Sequence, residues 1–232
     1  MSWPAQLCSV LASWAGDALG WGSTVISTLR PAEKPLHPRG SVSGATLVRR
    51  GDGPRSGVPW LDEPGVDVVT VRRSRSAGLP PGWPDVRGLA IRVEPLAGHP
   101  ADLLFATTGL GRITRFLLTP AWSGHPRPMT TLLPYRSPIG PLLLGIDEAA
   151  SGRFRLLWAR GVGPWTQWGE LEMHDRQAPD QPVWFDPVLH QLPGLPVYDW
   201  VRRLREPAYL AARRHRSDAV PTPSRSISHP EG

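Results

Sequence analysis

The 232-residue chain contains no asparagine, one cysteine and one lysine, Lys34, so 25 of its 26 lysine-plus-arginine residues are arginines. The lone Cys8 excludes an intramolecular disulfide framework and a cysteine-based zinc site. No apolar run approaches the ~20 residues of a membrane-spanning helix. Asp17 interrupts the apolar N-terminal stretch, and no basic residue precedes Leu7–Leu11, as a secretory leader would require. A reducing cytoplasm is the expected compartment. Acidic and histidine residues do not cluster at ligand spacing, which leaves a metal-dependent hydrolase without support.

What is abundant is proline and glycine, 28 and 24 residues, without a repeating period. That composition predicts short strands and many turns rather than long helices. The net charge is +6. Arginines are scattered along the chain and cluster only near the C-terminus, from Arg202 to Arg216. A nucleic-acid binder would gather them in a stripe interleaved with aromatics, so no specific nucleic-acid partner is expected.

Short apolar or alternating runs recur at regular spacing: Gly44–Arg49, Val66–Arg72, Gly88–Val93, Asp102–Thr107, Ile113–Leu118, Pro141–Ile146, Phe154–Ala159 and Trp168–Met173. Turn-rich segments such as Gly51-Asp52-Gly53-Pro54 separate them. The pattern predicts a β-rich α+β chain, a barrel or sandwich at its centre. Residues 1–30 read as an N-terminal helical segment, 31–216 as one domain, and the Ser/Pro-rich residues 217–232 as a disordered tail. A C-terminal helical segment is expected from Tyr198, Trp200, Val201, Leu204 and Tyr209, with Pro207 ending or kinking it. Trp60, Trp83, Trp158, Trp165, Trp168 and Trp184 would pack a core or line an apolar cavity, packing being the commoner role.

Three segments carry a family resemblance. Leu36-His37-Pro38-Arg39-Gly40 is similar to V-H-A-R-G. Val71-Arg72-Arg73-Ser74, followed by Asp85-Val86-Arg87-Gly88-Leu89-Ala90, is similar to V-R-F-S and D-P-R-G-F-A. Arg205-Glu206-Pro207-Ala208-Tyr209, followed by Arg213-Arg214-His215-Arg216, is similar to R-L-F-S-Y and H-R-H-R. In this order they resemble the catalase superfamily of haem-dependent proteins, over about residues 34 to 216.

The resemblance implies an antiparallel catalase-like β-barrel and haem as cofactor. Tyr209 would be the proximal iron ligand, its phenolate favoured by Arg205 four residues earlier and by the metal. Lys34, Arg72 and Arg216 would hold the haem carboxylates. His37 would be the distal acid–base group, with Ser74 accepting from its imidazole and fixing the tautomer. The other histidines, His190 among them, are assigned no chemistry.

The chain departs from the family at one telling position. Asp102-Leu103-Leu104-Phe105-Ala106 resembles the stretch that leads to the catalases' distal asparagine, and it places Ala106 there. Thr107 and Thr108 offer hydroxyls, not a two-donor amide. The implied function is a haem-binding peroxidase or hydroperoxide-processing oxidoreductase, poor as a true catalase. The alternative is a haem-free barrel that binds an apolar small molecule.

Overall fold

The computed structural model describes residues 40–75, 84–96, 98–122, 125–178 and 183–205. Nine strands form one antiparallel sheet: β1 (Gly40–Arg49), β2 (Gly65–Arg75), β3 (Arg87–Leu96), β4 (His99–Thr107), β5 (Met129–Thr130), β6 (Tyr135–Ser137), β7 (Gly140–Ala150), β8 (Arg153–Arg160) and β9 (Thr166–Ala178). β1 pairs with both β2 and β9, and β5 pairs with both β4 and β7. Eight strands therefore close into a barrel, and β6 lies outside the ring against β7. The β-rich fold expected from the sequence is the one formed.

Alternation sets which residues point inward. Val69, Val71, Leu89, Ile91, Leu103, Phe105, Leu144 and Leu156 are buried inside, together with Trp158 and Trp168. An eight-stranded barrel is just wide enough for side chains to fill. Each fully buried leucine or isoleucine contributes roughly 1.5–3 kcal/mol. One end carries the strand termini Arg49, Gly65, Gly140 and Thr166, and is closed by α1 (Pro59–Asp62) and residues 192–197. Trp60, Leu61, Leu192 and Leu195 plug it. Arg49 fastens α1 there through the carbonyls of Trp60 and Glu63 and an ion pair with Asp67. The other end carries Gly40, Arg75, Arg87 and Thr107.

Seven of the eight expected strands form. The exception is Ile113–Leu118, where Thr114–Phe116 make a single 3-10 turn. The apolar run is inverted: Ile113, Phe116 and Leu117 are exposed, whereas Arg115 is buried at 2% exposure. The Arg115 guanidinium donates to the carbonyls of Leu110, Gly111, Gly161 and Gly163. Those bonds pull the segment into a turn, because a strand would carry the arginine away from its own loop. α1, β5 and β6 are too short to have left a periodic signal. At the C-terminal end residues 199–205 are helical, and among the described residues of the expected apolar stripe only Val201 is buried. The N-terminal segment, Trp83 and Tyr209 lie outside the described residues.

Candidate functional site on the outer face of the barrel

Since Val71, Leu89 and Phe105 point inward, their strand neighbours point outward. One outward rung near the Gly40 end runs Ser74, Gly88, Ala106, Thr130, each in register with the next across β2, β3, β4 and β5. The rung beside it is Arg72, Ala90, Leu104. Ser74 also pairs with Gly40 of β1. Two glycines are needed for this close packing. A Cβ on Gly88 would lie 2.7 Å from Ser74 Oγ, and one on Gly40 would lie 2.8 Å from Arg72 Nη2. The result is a low floor of small residues with a guanidinium at one edge.

Of the residues that the sequence singles out, Arg72, Ser74 and Ala106 thus come together on one face. Arg205 sits beyond the far end of the rung. It donates to the carbonyl of Thr131 at 3.4 Å, next to Thr130, and lies near the Tyr135 phenol. The Tyr135 hydroxyl is buried with no hydrogen-bond partner among the described residues. Burial raises its pKa, and the nearby Arg205 offsets part of that rise. His37, Lys34, Tyr209 and Arg216 lie outside the described residues.

A polar cluster borders the floor on β3 and β4, one rung beyond Ala90 and Leu104. The Asp102 side chain is fully buried, and Arg92 grips it with two bonds of 2.8 Å. Its Oδ2 also accepts from the Asp186 backbone N–H at 2.7 Å and meets His190 Nδ1 at 2.8 Å. The bond to Asp102 raises the pKa of Arg92 against the opposing effect of burial. Arg92 donates as well to the Trp184 carbonyl and lies 5.1 Å from the Phe185 ring centre. Residues 184–190 are thereby clasped to the barrel. His190 carries no distinguishing motif: its bond to Asp102 joins positions 88 residues apart.

Among the described residues no group of three or more histidine, cysteine, aspartate or glutamate side chains could hold a metal ion, and no helix is long and apolar enough to cross a membrane. The tryptophan positions divide: Trp60, Trp158 and Trp168 are core residues, while Trp184 is half exposed. A hollow beside Leu61, Trp158 and Trp168 has a volume of about 10 Å³, room for one water molecule. Buried apolar side chains fill the barrel interior.

No family model matches the sequence, and no curated protein matches it. Solved structures do match. One is the structure of a bacterial catalase, with a TM-score of 0.53 and 13% sequence identity over 92% of this chain. The matched region makes up 66% of that catalase chain. At this identity the likeness concerns the fold: the chain forms a closed antiparallel β-barrel similar to that of a catalase.

Proposed function

We propose that this chain is a haem-binding, catalase-like protein that processes hydroperoxides and disproportionates hydrogen peroxide poorly. The observation that carries the reading is the floor: Ser74, Gly88 and Ala106 in one rung, with Arg72 in the next. A flat ring system with acidic substituents suits such a surface. Glycine and alanine let it approach the backbone, and a guanidinium at the edge pairs with a carboxylate.

Lys34 and Arg216 join Arg72 in holding the haem carboxylates, and Tyr209 provides the iron ligand. Haem, when bound, supplies the redox chemistry that cleaves a peroxide O–O bond. The chain's own groups handle the proton. His37 takes it from the hydroperoxide and returns it to the departing oxygen, while Ser74 accepts from the imidazole N–H and fixes the tautomer. Ala106 contributes no donor to orient a second peroxide. The chain acts in a reducing cytoplasm on a small-molecule peroxide.

An absorption spectrum of protein expressed with haem supplied tests this. The expected result is a Soret band whose ligand-sensitive features change in Tyr209→Phe. An identical spectrum in that variant removes Tyr209 as the ligand. Absence of haem uptake shifts the assignment to a haem-free barrel that takes an apolar ligand on the same face.

A further inference from the structure

The Asp102–His190 pair has a role to fill that the haem reading does not use. Nδ1 faces a fully buried carboxylate oxygen at 2.8 Å, which can only accept, and the Arg92 Nη2 donor at the longer distance of 3.3 Å; the shorter contact favours Nδ1 as the N–H donor. The lone pair is then on Nε2. Among the described residues nothing hydrogen-bonds Nε2, and the His190 side chain is 31% exposed. The ring is also held in place from its own backbone. Asp186 Oδ1 accepts from the N–H groups of Val188 and Leu189, and the His190 N–H donates to the Asp186 carbonyl.

The other exposed histidines offer a contrast. His174 uses Nε2 on Thr46 Oγ1 at 2.9 Å, and His99 and His125 have no carboxylate behind them among the described residues. A buried carboxylate that orients an imidazole and stabilises its cationic form is the arrangement by which histidine becomes an effective base or nucleophile.

We propose that His190, oriented by Asp102, is a reactive nucleophile that accepts the acyl group of small activated esters. Nε2 forms a bond to the carbonyl carbon, and the bond from that carbon to the leaving oxygen breaks, releasing an alkoxide or phenolate. The positive charge left on the acyl-imidazole lies against Asp102, which it shares with Arg92. Water then adds to the acyl carbon, the C–N bond breaks and a carboxylic acid leaves; the remaining proton on the imidazolium passes through solvent to the released alkoxide or phenolate, which restores neutral His190. The net reaction is ester hydrolysis and needs no redox partner or cofactor.

The test uses the full chain and p-nitrophenyl acetate, read as p-nitrophenolate release, with acid-trapped protein mapped by mass spectrometry. We expect release well above that of free imidazole and acetyl label on His190. In His190→Gln, whose amide can still donate to Asp102 and keep the clasp, release should fall about a hundredfold. His99→Gln and His125→Gln should leave it unchanged. The tautomer is read independently from the ¹⁵N shifts of His190 in the unmodified protein, where a protonated Nδ1 and a bare Nε2 are expected. Label spread evenly over the exposed histidines, or a His190→Gln variant as fast as the parent, overturns the proposal. A Nε2–H tautomer overturns the role of Asp102. None of these readouts depends on haem.

Discussion

Arg115 and Trp165 share one acceptor. Arg115 Nη2 and Trp165 Nε1 both donate to the carbonyl of Leu110, at 3.2 and 2.7 Å, while the guanidinium carbon lies 4.5 Å from the indole centroid. The indole in turn covers Gly145, where a Cβ would meet Trp165 Cζ3 at 2.9 Å. A cation, a ring and a bare backbone thus join the loop after β4 to β7 and to the β8–β9 connection. Among the described residues no carboxylate pairs with the guanidinium; burial first, and then Arg112, lower its pKa.

Arg115→Lys keeps the charge but loses the planar fork that reaches four carbonyls. Leaving several of them without a donor should cost about 3 kcal/mol. The midpoint of urea unfolding should fall while its slope stays the same. An unchanged midpoint would show that the four bonds contribute nothing net.

Tyr135 gives stability a pH dependence at the alkaline end. Its folded pKa is raised, chiefly by burial. Below about pH 10 the phenol is protonated in both folded and unfolded chains and contributes no slope. Above that, the unfolded chain releases the proton while the folded one retains it, so stability falls as pH rises. Tyr135→Phe should flatten this alkaline loss. Near neutrality it should change stability by no more than about 1 kcal/mol, since the hydroxyl it removes has no hydrogen-bond partner among the described residues. Equal alkaline slopes in the two proteins would remove Tyr135 as the cause.

Ala106→Asn adds an amide to the rung that already holds Ser74. Oxygen evolution from hydrogen peroxide by haem-loaded protein should rise about tenfold, because small displacements of a reacting group cost ~10²-fold and an amide restrains it. In the parent, organic hydroperoxide consumption should exceed oxygen evolution, and His37→Ala should reduce both. Vigorous oxygen evolution by the parent would contradict the argument from the missing amide. Consumption indifferent to His37→Ala would remove that histidine from the mechanism.

The basic charge should give only weak, sequence-independent affinity for DNA, lost steeply as salt rises. Fluorescence anisotropy with a labelled duplex between ~50 and ~200 mM salt measures it. Tight binding that survives the upper concentration would require a basic surface that the dispersed arginines do not suggest.

The long strands were legible because each has enough alternation to mark its inward face: Val69 and Val71 in β2, Leu89, Ile91 and Val93 in β3. Ile113–Leu118 misled because its apolar residues face solvent and its arginine faces in. Periodicity cannot register a side chain that finds its partners among loop carbonyls. The floor was partly legible, since Arg72 and Ser74 stand in a motif and Ala106 in another. That they share one face depends on register across three strands, which sequence spacing does not encode. The Asp102–His190 bond depends on where residues 184–190 dock, and neither residue carries a local signature of it.

The ring of strands is closed at one place by only Met129 and Thr130. Elsewhere it consists of two broad ribbons, β1–β4 and β7–β9, laced together along β1 and β9. β5 behaves as a button between their other edges. Thr130 is what fastens it: its hydroxyl donates to the Arg115 carbonyl at 2.6 Å and accepts from Thr108 Oγ1 and the Leu132 N–H, both at 3.2 Å. Each ribbon can assemble from neighbours in sequence, and β5 bridges them between strands that also lie near it in the chain, whereas the β1–β9 seam joins distant parts of the chain and comes late. Thr130 is also the last member of the rung that begins at Ser74. Loss of this narrow seam would therefore slacken the edge of the floor itself.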